Sequence, residues 1–149
     1  MIRPLTVEDL DYVIELVNAR VSASDPLTLT GEDREQLAFC LENAFRSYAG
    51  WQLPQLERTA ALLYWSIVTH RPLADGNKRV AVVATALLLI INGQMPLWTT
   101  EDLYATATTP GGRYDGPHQI KEDLALLIFS NIRPLTEQDL RRAAVLDAA

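Results

Sequence analysis

Five consecutive residues, Asp75-Gly76-Asn77-Lys78-Arg79, concentrate the chemistry that this chain can do. They open a long apolar helix, and a helix start presents backbone N–H groups that carry partial positive charge. Acidic side chains are favoured there and cations are not, by up to about 1 kcal/mol each. Other helix starts in the chain obey this: Glu8-Asp9, Glu32-Asp33, Glu101-Asp102, and Glu137 with Asp139. Here Lys78 and Arg79 fall in the first turn instead. A bound anion reverses the sign of that penalty. Free N–H groups, a glycine that permits close approach and two cations together describe a phosphate site. Asp75 adds a carboxylate of the kind that holds Mg2+ beside phosphates. The competing arrangement is structural: Asp75 caps the helix while Lys78 and Arg79 face solvent. The segment is not a P-loop, because neither G-x-x-x-x-G-K-[ST] nor G-x-G-x-x-G occurs.

The elements that must position this turn follow from the apolar spacing, which is helical almost throughout. Leu10, Val13, Ile14 and Val17 predict a helix over 7–19, with Thr6 as N-cap, Asp9 closing a capping-box-like pair and Leu5 stapled to Leu10. Thr30 opens a second helix over 31–48. A third, over 55–69, carries Leu56, Ala60, Leu63, Tyr64, Ile67 and Val68. Pro72 enforces a break before the fourth helix, over 76–92, which is apolar nearly all round from Val80 and so belongs at the centre of a bundle. Asn92-Gly93 ends it. Shorter helices are expected over 100–107, 117–131 and 136–147. No alternating strand pattern longer than a few residues appears. The expected fold is all-α: one domain over 1–149, six to seven helices, a core over about 5–131 and an extra C-terminal helix within 132–149. One short echo stands out. Ile2-Arg3-Pro4-Leu5-Thr6 recurs as Ile132-Arg133-Pro134-Leu135-Thr136, and Asp9-Leu10 as Asp139-Leu140. It reads as two copies of a good helix start.

Composition narrows the function. The chain has 149 residues, 48% of them hydrophobic and 21% charged, which is enough apolar content for a folded core. Its net charge of -6 argues against general nucleic-acid binding, which needs a basic face. A single cysteine, Cys40, excludes an internal disulfide framework, and two histidines, His70 and His118, exclude a multi-histidine metal site. The segment Met1 to Asp9 is too acidic and interrupted for a signal peptide. The apolar run Val80–Ile91 is shorter than the roughly 18–20 residues that cross a bilayer. The expectation is a cytoplasmic protein with neither membrane nor nucleic-acid partner.

The stretch Leu56-Glu57-Arg58-Thr59-Ala60-Ala61-Leu62-Leu63-Tyr64-Trp65-Ser66-Ile67, followed by Pro72-Leu73-Ala74-Asp75-Gly76-Asn77-Lys78-Arg79, resembles the Fic/Doc (Fido) family. It is closest to the Doc, or death-on-curing, branch. The family motif reads H-P-F-x-D-G-N-[GK]-R at a helix–loop–helix junction. The similarity is strong over about 55–93 and weaker over about 5–130. The resemblance implies a nucleotide site with ATP and Mg2+ as cofactors. It makes Asp75 the metal ligand, Gly76 and Asn77 the turn that cradles phosphates, Asn77 through its side chain, and Arg79 the phosphate-binding arginine. Lys78 stands where Doc-like members have lysine and AMP-transferring members usually have glycine. The implied activity is transfer of a phosphoryl or AMP group to a protein hydroxyl, on a target of the translation-factor class. The implied setting is a toxin restrained by a separate antitoxin. Residues Ala49 to Pro54 fall where family members carry a flap that docks the target; Trp65 and Trp98 read as packing residues, and Trp51, in that flap, is the best exception as a base-stacking platform.

The sequence departs from the motif at its base. The family's histidine lies four residues before the aspartate, and that position here is Arg71; His70 is one residue early. Arginine does not accept a proton under protein conditions. Three readings follow. A loop bulged by one residue carries His70 into the site as the base. Alternatively, the chain binds nucleotide or another anion with most transfer lost. In the third, Arg71 clamps phosphate and catalysis proceeds by positioning and Mg2+ alone. Apart from a base role, His70 reads as a helix-end residue bonded to last-turn carbonyls. His118 reads as an exposed first-turn residue and Cys40 as a buried small hydrophobe. The S/T-x-x-x-E pattern of self-inhibited relatives has one weak match, Thr28 to Glu32, which reads as ordinary helix capping.

Overall fold

Local chemistry sets where each helix begins, and packing decides which of them form the core. The computed structural model describes residues 2–19, 26–46, 55–98, 100–107 and 117–148. Among them are seven helices: α1 (Val7–Asn18), α2 (Gly31–Arg46), α3 (Gln55–His70), α4 (Asn77–Ile91), α5 (Thr100–Ala107), α6 (Pro117–Ser130) and α7 (Glu137–Ala148). Two short strands complete the fold, β1 (Gln94–Pro96) and β2 (Ile132–Pro134). The all-α expectation holds, and the helix bounds fall within a residue or two of those read from the spacing. The proposed flap at 49–54, including Trp51, lies outside the described residues. So does any description of the His118 side chain.

The capping chemistry is present where the sequence places it. In α1 the Thr6 hydroxyl accepts from the Asp9 N–H at 3.3 Å, and the Thr6 N–H donates to the Asp9 carboxylate at 2.8 Å. Leu5 and Leu10 are both buried, as a hydrophobic staple requires. In α2 the pair is Thr30 and Asp33, each backbone N–H at 3.1 Å from the other's side chain. Thr28 to Glu32 thus lies on an ordinary capped helix start.

The centre of the bundle is shared. α3 packs against α2, α4 and α6, while α4 also packs against α1 and β1. Ala60, Leu63, Tyr64 and Ile67 of α3, with Val80, Ala81, Ala84, Leu88 and Leu89 of α4, are fully buried. Ile90 of α4 is 37% exposed, so one edge of that apolar helix reaches solvent. Cys40 is buried on α2, and burial pushes its thiol up to about 11, so it packs as a small hydrophobe.

α4 is fixed at its C-terminal end by Asn92-Gly93, with Gly93 at φ 82 supplying the left-handed residue that ends the helix. The Asn92 side chain accepts from the Arg3 N–H at 2.6 Å and donates to the Arg3 carbonyl at 2.8 Å. The N-terminal segment is thereby tied to the end of α4. The C-terminal copy of the echo uses the same turn differently. Its Ile132–Pro134 pairs antiparallel with Gln94–Pro96, and the Leu135 N–H donates to the Gly93 carbonyl at 2.9 Å. The segment beyond residue 131 therefore begins as a strand before it becomes α7. Three residues are too few for a period of two to show in a sequence.

Candidate functional site

The turn between α3 and α4 is shaped by a small number of contacts. α3 closes with the Arg71 N–H donating to the Ile67 carbonyl at 3.1 Å, and Arg71 itself adopts φ 50. A non-glycine residue in that region is uncommon and carries local strain. Beyond Pro72 the loop is clamped by the buried Asn77. Its carbonyl accepts from the Leu73 N–H at 2.9 Å and its amide donates to the Leu73 carbonyl at 2.8 Å. The Asn77 side chain thus shapes the loop that forms the cleft.

Gly76 is required on two counts. It has φ 83, and a Cβ there would lie 2.7 Å from Leu27 Cδ1. Asn18 at the end of α1 grips the Leu27 backbone in both directions, at 2.7 and 2.9 Å, so room for a Cβ would have to come from rotation of the Leu27 side chain. Gly76 is also the N-cap of α4, which among the described residues has no side-chain cap. The backbone N–H groups of Asn77, Lys78 and Arg79 precede the first intrahelical bond, from the Val80 N–H to the Gly76 carbonyl at 3.0 Å. This is the anion-receptive end of the helix.

Asp75 does not cap the helix. Its carboxylate accepts from the Gly76 N–H at 2.8 Å and lies 3.7 Å from the Arg79 guanidinium. Both side chains are well exposed, so the pair contributes little to stability. Lys78 turns across the cleft, its ammonium 4.1 Å from the centre of the Tyr104 ring on α5. A cation over an aromatic face at an exposed site is worth about 0.5–1 kcal/mol, which offsets the unfavourable position of Lys78 at a helix N-terminus.

These groups line one cleft of about 290 Å3, walled by Val68, Arg71, Asp75, Gly76, Asn77, Lys78, Arg79 and Tyr104. Three cations and one carboxylate therefore share a pocket in a chain whose net charge is -6. Arg71 contributes to that wall and His70 does not. The His70 Nδ1 lies 2.9 Å from the Ser66 carbonyl, and its ring meets Phe39 and Trp65 edge-on at 6.1 and 5.9 Å. His70 still has helical geometry, so it points back along α3. Arg71 is the residue at which the chain swings round, and one helical step separates side chains by about 100°. Sequence reasoning found the turn but missed Asn18, Leu27 and Tyr104. Leu27 follows a proline in a polar stretch and Tyr104 sits on a short helix, so neither carries a local signal.

Among the described residues, no group of three His, Cys, Asp or Glu side chains gathers to hold a metal ion. Among the described residues, Asp75 alone lines the cleft with a carboxylate. That donor set fits Mg2+, which takes one or two carboxylates and is completed by phosphate oxygens and water.

A helical bundle with a glycine-capped, cation-bearing helix start behind a helix–loop–helix turn presents an anion-receptive helix end. A family model described as the Fic/DOC family matches residues 9–89, more than half of the chain and the entire α3–α4 turn. The chain belongs to that family. No match is found among curated proteins or solved structures. Members of the family are typically transferases that use ATP and Mg2+.

Proposed function

We propose that the cleft binds a nucleoside triphosphate with Mg2+, and that the chain is a Doc-like transferase with a weakened reaction centre. The reaction is transfer to a hydroxyl of a partner protein, either of the γ-phosphoryl group with ADP leaving or of AMP with pyrophosphate leaving. One observation carries this reading: Arg71, Lys78, Arg79 and the N–H groups of α4 converge on a single cleft beside Asp75. Arg79 and the helix N–H groups hold the phosphates, and Lys78 neutralises the charge that builds on them. Asp75 would hold Mg2+, which would supply charge neutralisation on the phosphate oxygens.

Arg71 occupies the base position. A guanidinium binds phosphate well but accepts no proton, so the acceptor hydroxyl loses its proton to solvent. A side-chain base is typically worth about 10²–10⁴-fold. Positioning and charge carry most of phosphoryl transfer, which leaves a slow reaction. The wider setting, a cytoplasmic toxin restrained by an antitoxin and aimed at a translation-factor target, belongs to the same proposal and rests on the family likeness. A second reading is favoured by the contacts that turn His70 away from the cleft. In it the chain is an inactive module that binds nucleotide, another anion or a partner peptide.

A transfer assay with labelled ATP and Mg2+ separates the readings. Arg71→His is expected to raise transfer by one or more orders of magnitude, about the worth of a base, and His70→Ala to leave it unchanged. Loss of a wild-type signal in His70→Ala overturns the assignment of Arg71 to the base position. ATP binding with no transfer in either wild type or Arg71→His selects the inactive module. If wild type and Arg79→Ala both fail to bind ATP, the nucleotide site itself is refuted.

A further inference from the structure

Lys78 differs from the other two cleft cations in what holds its side chain. Its ammonium rides on a flexible four-carbon stem, and the positive end of α4 pushes it toward solvent. Arg79 is steadied by Asp75 at 3.7 Å, and Arg71 is placed by the helix end that its own N–H closes. Lys78 instead finds the face of Tyr104, with the ammonium 4.1 Å from the ring centre. Tyr104 is itself held in place, because its neighbour Leu103 is fully buried where α5 packs on α6.

We infer that Tyr104 is a positioning residue for the anion site: its ring holds Lys78 across the mouth of the cleft, so the cation is ordered before a polyphosphate arrives. This rests on the nucleotide reading of the cleft. The physical reason is entropic. A free lysine loses rotamer freedom when it closes on a ligand, and that loss subtracts from affinity. A lysine already resting on an aromatic face has lost much of it beforehand. The attraction comes from the ring's quadrupole, so phenylalanine serves where leucine does not.

The experiment is a calorimetric titration with two probes, ATP with Mg2+ and inorganic pyrophosphate. It compares wild type, Tyr104→Leu, Tyr104→Phe, Lys78→Ala and the double variant Tyr104→Leu/Lys78→Ala. Tyr104→Leu is expected to weaken both probes by about two- to fivefold, the worth of an exposed cation–π contact. Tyr104→Phe restores wild-type affinity, and the double variant binds no more weakly than Lys78→Ala alone. Equal weakening by Tyr104→Leu and Tyr104→Phe overturns the inference, since the hydroxyl would then be the active group. Multiplying effects of the two single variants overturn it as well, since the residues would act independently. Proton chemical shifts of the Lys78 ε-methylene provide a check that needs no leucine variant. A ring-current shift in both wild type and Tyr104→Phe is expected, and an unshifted signal in wild type refutes the contact. A wild type that binds neither probe removes the nucleotide reading itself, whereas a wild type that binds with Tyr104→Leu unaltered removes only the role of Tyr104.

Discussion

At the scale of single residues, the turn depends on one glycine and is given its chemical character by one arginine. Gly76 combines a positive φ with a Leu27 methyl 2.7 Å from where a Cβ would stand. Gly76→Ala should therefore cost about 1–3 kcal/mol, from a strained backbone plus a contact that must move. The shift in a urea unfolding midpoint measures it. Adding Leu27→Ala should recover the contact and leave the backbone strain, so the double variant remains less stable than Leu27→Ala alone. Equal stability of those two would show that φ at residue 76 relaxes freely. Arg71 differs, because its left-handed conformation is what swings the guanidinium into the cleft while His70 stays against Ser66, Phe39 and Trp65.

At the scale of elements, the two echo copies show how one local code yields two outcomes. Thr136 and Asp139 form the same reciprocal cap as Thr6 and Asp9, at 3.2 and 2.9 Å. Yet Leu10 is 1% exposed and Leu140 is 61% exposed. α1 lies against α4, whereas the contacts described for α7 lie at its N-terminal end. There Arg133 donates to both oxygens of Asp139, at 2.7 Å each. Those bonds, and then the Thr136 N–H, hold the Asp139 carboxyl well below the usual carboxylate range. A lowered folded pKa means that the stabilisation is fully present above the unfolded value near 3.9 and fades as pH falls toward the folded one. Amide exchange in the first turn of α7, taken relative to its intrinsic rate at each pH, should be slowest near neutral pH and should quicken progressively as pH falls through and below the ordinary titration of aspartate. Asp139→Asn should quicken it at neutral pH, and unchanged protection in that variant would show that the pair does not hold the helix.

At the scale of the whole molecule, the α3–α4 core buries three hydroxyls, Thr59, Tyr64 and Thr85, that have no hydrogen-bond partner among the described residues. Burial pushes the Tyr64 hydroxyl well above the usual phenol range, and the neighbouring Tyr104 adds to it, so Tyr64 stays protonated. A buried polar group without a partner costs about 1–3 kcal/mol, and an apolar group of the same shape removes that cost. Tyr64→Phe and Thr85→Val should each leave the melting temperature unchanged or raise it by a few degrees. A fall of several degrees in either would reveal a partner for that hydroxyl. No described helix is long and apolar enough to cross a membrane. The net charge of -6 is distributed so that the cleft remains locally cationic, which a sum over the chain conceals.

Much was legible in the sequence because its physics is local. Helix starts announce themselves through Thr6, Thr30 and Thr136, helix ends through Gly93 and the break at Pro72, and the cation-bearing turn through Gly76, Lys78 and Arg79. These depend on backbone conformation and neighbouring side chains, which a few adjacent residues dictate. What local spacing left open was how separate elements meet. The choice between His70 and Arg71 as the residue facing the cleft rested on one left-handed backbone step at the end of α3. The need for glycine against Leu27, the grip of Asn18 on that loop and the rest for Lys78 on Tyr104 join residues far apart in the chain. Tertiary packing decided those, because no residue near Gly76 or Lys78 in sequence supplies the methyl or the ring that each one meets in space.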